Sequence, residues 1–433
     1  MQPLEAFYAF FAFLLVTSRE ILWLRSWVGN DVFNALVTVL FVGYFISLTC
    51  SFDAYQGRIT FTPRLKWPSI PEFRRIAWFV IFFCAYLLGH ELIIGNSWRA
   101  LKYVIYLLFF LGLLSKSSKL ENIAKVFVAL SAVTSLMLVA QLLLITVVGD
   151  NNLYDFPDIP KSMVDNRPDG HYVNPYGLGF MVREGLVDYG LIQFYRAYAF
   201  TTESKYCSAV LWVGVISLYY LAAIGKIASK RVWLGILGGG LLVSHAYSSI
   251  AVLAIAVLNW IGGRSKYAVS YTVVFFLVLF GALPLVISSA SSLGSYAAHR
   301  IESFEKTSYR FGNLSLGSFD ALGKGMDSEL SQVRGLPSEV RNFLQFGYVG
   351  GLFHVVMIIF VMVLCIRQIH DSTNDDYRKM LSLIAALSVT FLVFFNAEIM
   401  SPMYMFIFAL AVRYSGETWI SGRSVRSAGL APV

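Results

Sequence analysis

An all-α protein that crosses a membrane many times is the fold class this sequence predicts, and three observations predict it. Charge is scarce: only 14% of the 433 residues are Asp, Glu, Lys or Arg, against 57% hydrophobic. A soluble domain carries about 25% charged residues, so this chain has too little polar surface to stay in water. Apolar runs of membrane-spanning length recur along it. Basic residues collect in alternate short loops, the pattern of cytoplasmic loops in membrane proteins.

The first run, MQPLEAFYAFFAFLLV, lacks the basic start and small-residue cleavage site of a secretory signal, so it reads as an uncleaved span. In order, the apolar runs predict about twelve helices, near 4–18, 32–50, 75–95, 101–115, 122–148, 205–224, 232–245, 247–262, 267–289, 343–366, 379–395 and 399–415. The seventh and eighth are short and share the turn SHAYSS; they read either as two spans or as a broken, re-entrant pair. The stretches RLKWPSIPEFRR (64–75), SKSSK (115–119), GKIASKR (225–231), GGRSK (262–266) and DDYRK (375–379) then share one side. Their Lys and Arg make that side the cytoplasm, with both termini inside. The chain is thus a single integral membrane domain, 1–433, with two long external segments, 149–204 and 290–342. No internal repeat is evident, which disfavours a two-halved transporter.

The net charge of +8 is a matter of topology and lipid contact and not of nucleic acid. There is no zinc-ligand spacing, Walker loop or dinucleotide fingerprint, so neither a metal nor a cofactor is expected. Cys50, Cys84, Cys207 and Cys365 all fall within or beside apolar runs and read as small core residues.

Chemistry is expected in the long external segments. Arginine holds phosphate best, because its planar fork of donors pairs two oxygens at once. Arg196, Arg310 and Arg341 lie near helix ends on the external side, where a lipid pyrophosphate would sit. The plainer reading of each is a side chain that snorkels to phospholipid headgroups. Carboxylates are the second requirement, since a sugar hydroxyl needs a base before it attacks. Glu203 and Glu339 are each close to one of these arginines, and Glu398 and His245 stand at external turns. For Glu203 the rival reading is a salt bridge to Lys205 or Arg196. His354 reads as a packed, hydrogen-bonded histidine deep in its helix, and His90 with Glu91 as an interfacial anchor. Tyr206 and its aromatic neighbours fit a membrane-interface belt, with some rings free to stack on sugars. Thr201 or Thr202 suits a helix start, which puts Glu203 in the first turn and makes it a positioning group. Glu339 is then the expected base.

RAYAFTTESKYCSAVL resembles the R-x-x-(x)-F-x-E-P-S-x-(F/Y) segment of bacterial O-antigen and exopolysaccharide polymerases; Arg196, Phe200, Glu203, Ser204 and Tyr206 fit, while Thr202 and Lys205 do not. LLVSHAYSSIAVLAIAV resembles that family's serine-containing turn before an apolar helix, and SYRFGNLSLGSFDALGKG its S-x-R…G-x-G stretch, with Ser308 and Arg310 matching. SEVRNFLQFGYVGGLF is similar to its H-N…G-x-x-G motif through Asn342, Gly347 and Gly350, with Arg341 where many members have histidine. These segments run in family order over roughly 190–355.

The resemblance implies a Wzy-type polymerase with GT-C-like architecture, related to the O-antigen ligases, in the bacterial inner membrane with its site facing the periplasm. It implies a metal-independent, inverting glycosyltransferase of lipopolysaccharide or exopolysaccharide biosynthesis. Its donor and acceptor would be undecaprenyl-pyrophosphate-linked oligosaccharides, and its partners membrane lipids, a chain-length regulator and a flippase. Arg196, Arg310 and Arg341 would hold the pyrophosphate, Glu339 or Glu203 would serve the acceptor, and Ser204, Asn342, His245 and Tyr206 would support them. Transfer of a finished chain to lipid A-core, as by a ligase, and transport of polysaccharide or lipid-linked sugar are the alternatives.

Overall fold

The computed structural model describes residues 50–55, 58–63, 71–94, 117–148, 172–173, 181–188, 193–201, 204–244, 247–262, 338–394 and 403–412, with Gly323 and isolated helical positions before residue 114. Among the described residues, eight helices dominate: α1 (Pro71–Ile94), α2 (Ser117–Val148), α3 (Ser204–Ala223), α4 (Lys230–Val243), α5 (Tyr247–Gly262), α6 (Ser338–Asp371), α7 (Asp375–Phe394) and α8 (Met403–Val412). Each falls on a run expected to be helical. The expected spans at 4–18 and 267–289 lie outside the described residues, and those at 32–50 and 101–115 are represented by isolated positions.

Among the described residues, three helices are long and apolar enough to cross a membrane, at Leu120–Val147, Tyr206–Ala223 and Phe343–Asp371; shorter apolar helices run at Trp78–Ile94, Val252–Ile261 and Met403–Val412. The chain is a helical membrane protein. Two faces show it most directly. Val133, Leu136, Leu143 and Val147 stand exposed on α2, and Leu352, Val356, Ile359, Phe360 and Val363 on α6. Their three-to-four-residue spacing makes one apolar stripe on each helix. In water such stripes would drive aggregation; against lipid tails they cost nothing.

α3 is the central helix. Val210, Leu211, Val213, Ile216, Leu218 and Leu221 are all fully covered, so its sides are apolar all round, as in a helix packed on every side. It lies against α2, α4, α5 and α7. Small residues let these backbones approach closely. Ser131 and Ser135, one turn apart on α2, face Gly214 of α3 and Gly240 of α4. Ser131 donates to the Val210 carbonyl at 3.1 Å, and Ser135 donates to the Ile236 carbonyl. This is how membrane helices bind one another without a hydrophobic drive between them. α8 completes the centre, with Phe406 stacked on Phe127 of α2 at 4.8 Å. Cys84, Cys207 and Cys365 are buried free thiols, as expected of core residues.

α4 and α5 span about 21 and 24 Å at helical rise, less than a bilayer core of about 30 Å. They part company at Ser244, whose hydroxyl donates to the Leu241 carbonyl at 2.9 Å. α4 packs on α2 and α3, and α5 on α7 and α3. Thirty-four residues make α6 too long for a simple span, and Gly347 divides it with φ 70° and ψ −172°. Its start, at Ser338, falls inside the segment 290–342 expected to be loop.

The loops add strands that the all-α expectation did not include. Cys50–Tyr55 (β1) pairs antiparallel with Arg58–Pro63 (β2). Within 149–204, Tyr172–Val173 (β3), Met181–Asp188 (β4) and Gln193–Ala197 (β5) form a three-stranded antiparallel sheet in that order.

The charged loops converge on one end of the bundle. Asn374 caps α7 by accepting the Tyr377 N–H at 3.2 Å, and its amide donates to the Ala223 carbonyl that ends α3. Lys230 pairs with Asp376, and Lys379 with Asp375 at 2.7 Å. Trp260, near the end of α5, donates its indole N–H to Asp375 at 3.1 Å. The loops 225–231 and 375–379 and the end of α5 therefore share a face, as the charge pattern requires.

Candidate functional site

At the opposite end two structures are built from the segments that carry the resemblance. The first joins β5 to α3. Arg196 is the penultimate residue of β5, within the irregular stretch where β4 shifts register between Met181 and Leu186. Such bulges re-aim a strand's side chains. Beyond it the chain turns sharply. Ala199 takes φ 48°, a left-handed conformation that costs a non-glycine residue about 1 kcal/mol or more. The turn is held from three directions. The Thr201 N–H and hydroxyl both donate to the Tyr198 carbonyl, at 2.9 and 2.8 Å, and the Ala199 N–H donates to Gln141 Oε1 of α2 at 3.1 Å. Ala197, Tyr198, Ala199 and Thr201 are buried. α3 begins at Ser204, and Tyr206 in its first turn is half-buried. Thr201 belongs to the turn, so the helix starts later than the Thr201 or Thr202 start expected.

The second structure surrounds the break in α6. The break frees the Phe346 carbonyl from helical bonding, and Tyr86 of α1 supplies the missing donor at 2.7 Å. Phe79 and Phe83 stack on Phe353 at 4.2 and 3.5 Å, which fixes α1 along α6. Gly323, from the second long loop, lies directly on the break: a Cβ at Gly323 would overlap the Gly347 nitrogen and the Gln345 carbonyl. Both glycines have positive φ, 74° and 70°. The G-x-G stretch and the G-x-x-G stretch thus meet at one point.

Beside that point lie His90 and Glu91. The imidazole Nδ1 and Glu91 Oε1 are 3.0 Å apart, with both side chains at 0% exposure. The imidazole also lies 5.9 Å from the Phe346 ring and 5.8 Å from that of Tyr86. This overturns their reading as an interfacial anchor: an anchor holds its charge in water or among headgroups, and these groups are sealed inside. The signal was present in the sequence as two adjacent titratable residues within an apolar helix, where such residues are expensive and usually functional.

Glu339, Arg341 and Asn342 belong to the part of α6 before the break, and His354 to the part after it; their side chains, like those of Arg196 and Ser204, lie outside the described set. Glu203, His245, Arg310 and Glu398 are themselves outside the described residues, so the spacing of Arg196 from Arg310 is outside them too. Glu339 is the second residue of α6. A carboxylate in the first turn of a helix is poorly suited to act as a base, which argues against Glu339 in that role. Among the described residues, no group of three or more His, Cys, Asp or Glu could hold a metal. No protein-family model matches the chain, and no curated protein matches it.

Proposed function

We propose that this chain is a membrane glycosyltransferase that polymerises undecaprenyl-pyrophosphate-linked oligosaccharide repeat units on the external, periplasmic face of the bacterial inner membrane. The observation that supports it best is the contact of Gly323 with Gly347. Two segments that resemble separate polymerase motifs, some twenty residues apart, come together at a helix break beside buried titratable groups. Arg196 and Arg310, with Arg341, neutralise the leaving pyrophosphate, where negative charge grows as the glycosidic bond breaks. Glu203 and Glu339 orient those arginines and the acceptor. Ser204, Asn342, His245 and Tyr206 support them.

The distribution of charge favours this reading over transport. A transporter places ionisable groups near the membrane midplane. In α2, the charges Lys119, Glu121 and Lys125 lie at the start, α3 carries Lys205 at its start and α5 carries none; among the described residues, the ionisable groups inside apolar helices are His90 and Glu91 in the last turns of α1 and His354 in α6.

A strain lacking the chain should lose polymer while single repeat units are still exported and capped. Export failing altogether would point to transport, and polymer accumulating on its lipid carrier would point to ligation. Within the polymerase reading, Arg310→Lys should cost most of the activity in membranes that hold normal amounts of protein, because a point charge cannot reproduce bidentate phosphate binding. Normal polymer from both Arg310→Lys and Arg310→Ala would reduce that residue to a headgroup anchor.

A further inference from the structure

β1 and β2 form an amphipathic pair. Their register sets Cys50 opposite Pro63, Phe52 opposite Phe61 and Ala54 opposite Ile59. Between these, Ser51 stands opposite Thr62, Asp53 opposite Thr60 and Tyr55 opposite Arg58. Residues directly opposite in an antiparallel pair share a face, and successive residues alternate between faces. One face of the hairpin is therefore apolar throughout, and the other holds every hydroxyl and charge. A lone two-stranded hairpin is marginal in water, so the apolar face needs a cover. Among the described elements, β1 and β2 make extensive contact only with each other.

The place of the hairpin in the fold says what covers it. α1 begins at Pro71, a short connection after β2 ends at Pro63. Phe79 and Phe83 of α1 meet Phe353 of α6, and Tyr86 further along meets Phe346, so the two helices run antiparallel and α1 begins at the charged end. Trp78 and Phe82 stand exposed in its early turns, so α1 is in lipid within about 10 Å of its start. A bilayer surface therefore passes close to Pro71. The sequence around it is basic, with Arg58, Arg64, Lys66, Arg74 and Arg75 against Asp53 and Glu72, and Trp67 is of the type that settles at headgroup level. We propose that the β1–β2 hairpin docks on the leaflet at the charged end. Its apolar face enters the boundary between headgroups and acyl chains, and the basic residues around it bind anionic phospholipid. At that depth the outer edges of both strands still meet water and headgroups, as open edges must. Docked there, the hairpin fixes the depth of α1, whose other end braces the break in α6.

The test uses the full chain in nanodiscs of phosphatidylglycerol and phosphatidylcholine, with a thiol-reactive fluorophore as the reporter. Cys84, Cys207 and Cys365 are buried, so the label goes to the hairpin. Ile59→Cys and Phe61→Cys sample the apolar face, and Thr60→Cys and Thr62→Cys the polar one, each combined with Cys50→Ser. Labels at 59 and 61 should lose most of their emission to brominated lipid and little to aqueous iodide, with the reverse at 60 and 62. The unsubstituted chain labelled at Cys50 reports on the apolar face if a variant fails to fold. Lipid quenching on that face should fall about fivefold or more in discs of phosphatidylcholine alone, since one basic residue near an anionic surface contributes roughly that factor. Iodide reaching all positions alike would overturn the proposal. So would an apolar face shielded from both quenchers, which would mean that the hairpin packs on the chain's own helices. Equal lipid quenching in the two kinds of disc would overturn the role of anionic lipid.

Discussion

The two ends of the bundle solve the same problem in different ways. At the charged end, helices stop on a side-chain cap, partly exposed ion pairs and an indole hydrogen bond, with Asn374, Asp375 and Asp376 gathering the ends of α3 and α5 and the start of α4. Each of these devices keeps its charge near water, and each is cheap. At the other end a helix is broken at a glycine, a loop glycine is pressed onto the break, a left-handed alanine is pinned by a buried glutamine, and a glutamate–histidine pair is sealed from solvent. Every one of those features costs stability. A broken helix and a fully covered His–Glu pair distinguish this end, and the proposed placement of the site rests on them; left-handed backbone occurs at both ends, at Ala199 and at Ser229 (φ 56°).

The largest effect should come from removing the glycines at the break. Gly323→Ala forces a Cβ into the Gly347 nitrogen and strains a backbone at φ 74°, and Gly347→Ala strains one at φ 70°. Each should cost about 1–3 kcal/mol locally and, on the proposed polymerase function, abolish most polymer synthesis. Protein yield in the membrane should fall little, because the lipid-facing helices do not depend on that contact. Full activity in Gly323→Ala would show that the meeting of the two motifs has no part in the reaction.

A smaller effect is expected in the middle of the bundle, where neither end is touched. At Gly214 a Cβ would meet the Ser131 Cβ at 2.5 Å, and at Gly240 it would meet Ser135. Gly214→Ala and Gly240→Ala should destabilise the chain by about 1–3 kcal/mol through overpacking, seen as a lower melting temperature in detergent. The rate per folded molecule should stay near wild type. A selective loss of rate would mean that the middle of the bundle, and not its end, sets the chemistry.

The difference between the ends also separates what the sequence discloses from what it hides. Helix positions follow from runs of apolar residues, and α1 to α8 fall where those runs are, since spanning length and hydropathy are local properties. The common face of the charged loops follows from counting spans. The strands escaped that reading: RITFTP alternates polar and apolar residues but is only six residues long beside a long apolar run, and MVREGLVD alternates weakly, its pairing set by partners elsewhere in the chain. The site was legible only in part. Gly347 and Gly350 stand out as a spaced pair, whereas the burial of Glu91 depends on α6 crossing α1, a long-range contact that no local pattern encodes. His90 and Glu91 were visible as residues but not as a pair with a covered environment.

The smallest effect belongs to the charged end, and it sharpens the contrast most. Lys230 pairs with Asp376, with side-chain exposures of 33% and 22%, and its ammonium also lies 5.9 Å from the Tyr219 ring. Partly exposed pairs are worth about 0.2–1 kcal/mol, because water screens them and two long side chains lose freedom in forming them. Asp376→Asn keeps the size of the side chain and removes its charge, while Asn374 still caps α7 and Asp375 still binds Lys379 and Trp260. The variant should therefore melt only slightly below wild type. That gap should close further as salt is raised toward about 1 M, where screening acts within roughly 3 Å. On the proposed function, polymer synthesis should be unchanged. If Asp376→Asn instead cost as much as Gly323→Ala in rate, the functional end of the molecule would be the charged one, and the proposed placement of the site would have to be reversed.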